Sequence, residues 1–155
     1  MRNSSKRGSA LLQRPSYPQS WHEVVTDEQI EDLVPEVDRS FLAEKGLRYT
    51  ARRVGADVHI VLADFPFPAA YMPRAANLLI ILPAGYPNAN PDMFRTVPDV
   101  KLVNGSWPVN ANAREIYDGV SWQRWSRHLT SAWRQGVDNL RTFITSVKRE
   151  LDKGI

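Results

Sequence analysis

Residues Ile81–Phe94 read Ile-Leu-Pro-Ala-Gly-Tyr-Pro-Asn-Ala-Asn-Pro-Asp-Met-Phe, an apolar run that gives way at Pro83 to a turn segment carrying Gly85, Pro87 and Pro91. Proline removes a backbone donor and fixes its own φ, so a strand arriving at Leu82 has to stop there. Immediately upstream, Ala76–Leu82 is dense in Leu and Ile, the composition of a strand covered on one face by helices. Just downstream, Met93–Thr96 offers a further short strand. The stretch is thus a strand, a proline-rich turn and the start of another strand.

Working towards the N-terminus, Leu47–Val54 and Asp57–Leu62 flank Gly55 and Ala56, and Val58, Ile60 and Leu62 alternate with His59 and Val61. That period of two predicts a β-hairpin. Before it, Thr26 or Asp27 can cap a short helix over Asp27–Leu33, with acids favourably placed in its first turn. Pro35 limits that helix or starts a second helical piece, Glu36–Glu44, for which Gly46 is the expected stop. Residues 1–20 hold Arg2, Lys6, Arg7 and Arg14 with no acid, and several serines with Pro15 and Pro18. This is the composition of a flexible basic leader ahead of a single domain at 21–155.

Towards the C-terminus, Pro98–Ser121 shows little periodicity and many turn residues, among them Asn104, Gly105, Pro108, Asn110, Asn112 and Gly119. It reads as a long irregular surface loop, a feature that in compact domains is often functional. From Trp133 onward, Val137, Leu140, Ile144, Val147 and Leu151 recur in steps of three and four, which predicts one amphipathic helix whose apolar stripe covers the sheet. The expected fold class is α+β, a two-layer domain with an N-terminal helix, a four-stranded antiparallel meander, a long irregular loop and a C-terminal helix.

Composition removes most function classes. The 155 residues include no cysteine, so disulfide scaffolds, thiolate zinc sites and thiol chemistry are all absent. His22 and His59 lack partners at metal-site spacing, and there is no phosphate loop, nucleophile elbow or dinucleotide fingerprint, so neither metal nor cofactor is expected. Of the 20 Lys and Arg, four lie in the leader, leaving 16 against 17 Asp and Glu. A near-neutral folded part gives no electrostatic reason to expect nucleic acid. The longest apolar run is too short to span a bilayer and the N-terminus has no apolar signal core, so a cytoplasmic chain without a membrane partner is expected.

Leu82, Pro83, Tyr86, Pro87, Pro91, Phe94 and Thr96 stand in an order and spacing that resemble the signature of ubiquitin-conjugating enzymes. Val97-Pro98-Asp99 falls where that family has a His-Pro-Asn turn. Asn104-Gly105 resembles the Asn-Gly that often precedes the family's catalytic cysteine, and Trp125 takes the place of a downstream Trp. The run Trp125-Ser126-Arg127-His128 resembles a motif of the bacterial, cysteine-lacking branch called prokaryotic family E. The resemblance implies the conjugating-enzyme fold and three partners: a ubiquitin-like modifier, an adenylating activating enzyme and a metalloprotease of the same pathway.

The departures define the chemical question. A cysteine carries the modifier because its thiolate both attacks and leaves well near neutral pH, and here Ser106, Trp107 or Pro108 takes that position. Asp99 stands where the family has the oxyanion-supporting Asn, and a carboxylate has no hydrogen to donate. Ser106 is the first candidate nucleophile and His128 the candidate base; Tyr117 is a second hydroxyl, with Asp118 beside it. Each has a structural reading as well. Ser106 after Asn-Gly suits a turn, His128 can cap or pack before the C-terminal helix, and Ser126 and Thr130 suit helix caps. Three readings remain open: handling a ubiquitin-like modifier by a hydroxyl ester or by guiding its transfer; an inert scaffold that binds the modifier or its activating enzyme; and, more distantly, an unrelated small α+β binding domain whose Tyr-Pro stretch is coincidental.

Overall fold

The computed structural model describes residues 27–128 and 132–155. The expected leader, the Thr26 cap and Thr130 lie outside the described residues. Helices α1 (Asp27–Leu33) and α2 (Glu36–Glu44) come first, then strands β1 (Tyr49–Val54), β2 (Asp57–Pro66), β3 (Tyr71–Met72), β4 (Ala75–Leu82), β5 (Phe94–Val97), β6 (Lys101–Leu102), β7 (Ala113–Tyr117) and β8 (Val120–Trp125), and finally helix α3 (Leu140–Asp152).

Pro35, with φ −56°, sets the first residue before α2, and Glu36 and Asp38 face the positive end of its dipole. Gly46 ends it at φ +64°, while the Leu47 amide donates to the Leu42 carbonyl at 2.9 Å. Only a residue free of Cβ strain takes that left-handed conformation cheaply. The hairpin β1–β2 closes at Val54 opposite Asp57.

The sheet is larger than the four strands expected from sequence: it has six, in the order β1-β2-β4-β5-β8-β7, and its five pairings are antiparallel. Of the extra two, β7 and the first two residues of β8 lie in the segment expected to be irregular, and the rest of β8 follows directly on it. Tyr117 and Val120 face each other across Asp118-Gly119, both with positive φ (52° and 77°), which is the geometry of a tight hairpin turn matched to strand twist. The irregular part thus shrinks to residues 98–112, interrupted by the short β3–β6 pair.

The C-terminal helix is shorter than its apolar stripe suggested. It starts at Leu140 rather than near Trp133, because Gly136 adopts φ +76° and Asn139 caps the first turn. The cap is reciprocal, with the Arg141 amide donating to Asn139 Oδ1 at 3.0 Å and the Asn139 amide to Thr142 Oγ1 at 3.3 Å. Val137, expected on the buried stripe, is 58% exposed. Phe143, Ile144, Val147 and Leu151 do cover the sheet, meeting Ile60, Leu62, Leu78, Ile80, Phe94 and Trp125 together with Phe41 and Leu42 of α2. Each fully buried aliphatic or aromatic chain of this kind stabilises the fold by about 1.5–3 kcal/mol. Among the described residues no helix is long and apolar enough to cross a membrane.

Candidate functional site

Tyr86, the centre of the decisive stretch, works as a fastener. Its hydroxyl donates to Asp38 Oδ2 at 2.7 Å, and the amide of Leu140 donates to Asp38 Oδ1 at 3.1 Å. One buried carboxylate therefore ties α2, the Tyr-Pro turn and the start of α3. Burial raises the Asp38 carboxyl above its usual range, opposed by the two hydrogen bonds, and burial with the adjacent Asp38 raises the Tyr86 phenol. Trp133 adds a third tie, its indole donating to the Pro87 carbonyl at 2.8 Å.

The loop that follows β5 is ordered from below by Gln123, a fully buried side chain on β8. Its Oε1 accepts from the Val100 amide at 2.7 Å and the Thr96 hydroxyl at 3.0 Å; its Nε2 donates to the carbonyls of Val100 at 2.8 Å and Ala111 at 2.9 Å. An amide with two donors and an acceptor oxygen can satisfy all these groups at once. Thr96 in turn accepts from the Trp125 indole at 2.9 Å. The downstream Trp expected from the resemblance is thus a core residue, stacked on Phe94 with centroids 5.2 Å apart.

On this loop Asp99 lies 2.8 Å from the Arg114 guanidinium, an exposed pair that gives no donor towards a reacting carbonyl. Ser106 closes a tight turn: its amide donates to Asn104 Oδ1 at 2.9 Å and its carbonyl accepts from Leu102 at 2.9 Å, with Gly105 at φ +87°. Among the described residues no hydrogen bond joins Ser106 to a base. The loop does touch the strand leading to His128, since the Ser126 amide donates to the Asn110 carbonyl at 2.8 Å and Arg127 Nε to the Val109 carbonyl at 3.1 Å. Ser106 itself lies four residues before Asn110.

His128 has another partner. Its Nδ1 sits 2.7 Å from Asp92 Oδ1, with both side chains well exposed. Asp92 is held through its backbone, whose carbonyl accepts from Arg95 Nη1 at 3.2 Å. Arg95, only 5% exposed, donates from Nε and Nη2 to Glu115 Oε1 at 3.2 and 3.1 Å. The hydroxyl of Tyr117 donates to the other oxygen of Glu115. A continuous chain of contacts therefore runs from Tyr117 through Glu115, Arg95 and Asp92 to His128. Arg124 runs alongside, 3.8 Å from Glu115 and 3.0 Å from Ser126 Oγ.

The electrostatics of this chain argue against Tyr117 as a nucleophile. Burial, and the hydrogen bond to Glu115, push its phenol up, so it is harder to ionise than a free tyrosine. Burial alone would raise Glu115, but Tyr117, Arg95 and Arg124 together outweigh it and hold the carboxyl below its ordinary range. Asp118, expected beside Tyr117, pairs with Arg52 at 2.6 Å. His59 is buried, which lowers its pKa, and its ring meets Tyr117 edge-on at 5.1 Å. Among the described residues there is no group of three His, Cys, Asp or Glu able to hold a metal.

Of the four residues expected from sequence to carry chemistry, the structure links Tyr117 to His128, leaves Asp99 with Arg114, and sets Ser106 in a separate turn. Asp92, Arg95, Glu115 and Arg124 were not anticipated. Phe94 opposite Trp125 is the register that brings Asp92 and His128, 36 positions apart, to the same end of β5 and β8.

Sheet, loop and helix order agree with a conjugating-enzyme domain. The model of prokaryotic E2 family E matches residues 34–154, and the chain belongs to that family. No curated protein and no solved structure matches the chain.

Proposed function

We propose that this protein works in ubiquitin-like conjugation as a transfer guide: it brings a ubiquitin-like modifier, activated by an adenylating enzyme, to its acceptor without carrying it as a cysteine thioester. Membership of the prokaryotic E2 family supports a role with the modifier and the activating enzyme. The observation that favours guidance over a covalent carrier is the state of the loop hydroxyls. A serine needs a hydrogen-bonded base to attack, and Ser106 has none among the described residues; Tyr117 is committed to Glu115. A metalloprotease that reverses the modification and a cytoplasmic setting complete the proposal.

Intact-mass analysis after incubation with activating enzyme, modifier and ATP tests it. The expected result is conjugate on an added acceptor and no adduct on this chain. An adduct that resists thiol reductant, yields to hydroxylamine and disappears in Ser106→Ala would establish the ester carrier instead. The scaffold reading draws on Asp99, whose carboxylate is bound to Arg114 and offers no oxyanion donor; it predicts tight association with no acceleration of transfer.

A further inference from the structure

We infer that Asp92 and His128 form an acid–base dyad in which His128 is the general base for the acceptor amine and Asp92 is its positioning residue. The inference rests on the transfer-guide reading above and adds the group that does the proton chemistry.

Three observations carry it. First, the contact is directional: Asp92 Oδ1 lies 2.7 Å from Nδ1 of His128, and a carboxylate can only accept, so the shared proton sits on Nδ1. The lone pair of the neutral ring is then on Nε2, the nitrogen not committed to the carboxylate. Second, the dyad is open to a protein-sized substrate, with side-chain exposures of 68% for His128 and 54% for Asp92. A pair this exposed adds little to stability, so packing gives no account of the arrangement. Third, the carboxylate is placed from a rigid base. Its residue's carbonyl is held by Arg95, which is nearly buried and clamped on Glu115, and the next residue, Met93, has a left-handed φ of 55°. For a long side chain such as Met that conformation is uncommon and costs energy, so the surrounding structure has to hold it in place.

The chemistry balances without a residue on this chain being acylated. His128 Nε2 takes a proton from the acceptor ammonium. The freed amine lone pair attacks the carbonyl carbon of the modifier's C-terminal acyl adenylate, supplied by the activating enzyme. A C–N bond forms, the bond from that carbon to the phosphate oxygen breaks with its electron pair, and AMP departs. The second amine proton passes to water, and the imidazolium returns its own proton to solvent. General-base assistance of this kind contributes about 100-fold or more to rate.

Two measurements on the full chain decide the matter. Nitrogen-15 NMR of the free protein reports the tautomer directly: neutral His128 is expected as the Nδ1–H form, shifting towards the commoner Nε2–H form in Asp92→Asn. A merely structural Asp92 would not move that signature. Transfer to Nα-acetyl-lysine, measured with activating enzyme, modifier and ATP, is expected to fall about 100-fold in His128→Gln and at least about tenfold in Asp92→Asn, with the acceptor KM little changed. An Nε2–H ring in the wild-type protein, or wild-type rates in both variants, would overturn the dyad and leave the transfer-guide reading standing. A wild-type chain that adds nothing to the rate of the activating enzyme alone would overturn that reading, and the dyad with it.

Discussion

Replacing Gln123 with Met isolates what holds the loop between β5 and β7. The two side chains are close in volume, so the core around Thr96, Val100 and Ala111 stays filled, but the thioether can serve none of the four hydrogen bonds Gln123 makes. Val100 N–H, Val100 C=O and Ala111 C=O all lose a buried partner, and each unsatisfied group costs about 1–3 kcal/mol. Allowing the loop to shift and admit some water, the expected loss is about 3–6 kcal/mol, a large share of the roughly 5–15 kcal/mol that stabilises a domain. Urea unfolding followed by circular dichroism should show a lower midpoint with an unchanged slope, because the buried area is the same. For a chain of this length melting should fall by about 10–20 °C. Amide exchange should accelerate first in residues 98–112. A loss below about 1 kcal/mol would refute the argument that one buried amide organises this loop.

Tyr86→Phe removes one donor from the buried Asp38 carboxylate and should cost about 1–3 kcal/mol near neutral pH. The sign with pH follows: Asp38 is already raised by burial and rises further without Tyr86, so the deficit should shrink on acidification, as urea midpoints at several pH values would show. Glu115→Gln should cost about 1–2 kcal/mol at neutral pH through its bonds to Arg95 and Tyr117. Because the folded carboxyl lies below its ordinary range, that contribution is present above the unfolded value and lost as pH falls through the folded one, so wild type and variant should converge in acid. Asn139→Ala removes the reciprocal cap of α3 and should cost about 1 kcal/mol in the same assay.

Much of the fold was legible because the relevant physics is local. Proline and glycine at Pro35, Gly46, Gly55 and Pro83 punctuate the first half, and Val58, Ile60 and Leu62 recur at every second position, although His59 and Val61 between them are buried too. The failures have equally local causes. Trp133 and Val137 extend the helical period of α3 backwards, but Gly136 takes a left-handed φ and Asn139 starts the helix afresh. The β7–β8 hairpin hides because the apolar period is weak at a sheet edge, where Ile116 is exposed; the Asp118-Gly119 turn was the available signal. At the site, His128 and Tyr117 stand out by residue type. Their connection does not, because it runs through Asp92, Arg95 and Glu115 and depends on strand register that no local spacing encodes.

The central claim is that a cysteine-free member of this family still moves a modifier, and the rate of conjugate formation tests it most directly. With activating enzyme, modifier, ATP and an amine acceptor, adding this chain should accelerate conjugation while its own mass stays unchanged throughout turnover. Equal rates with and without the chain, or a covalent modifier adduct on it that forms and decays in step with product, would contradict the account.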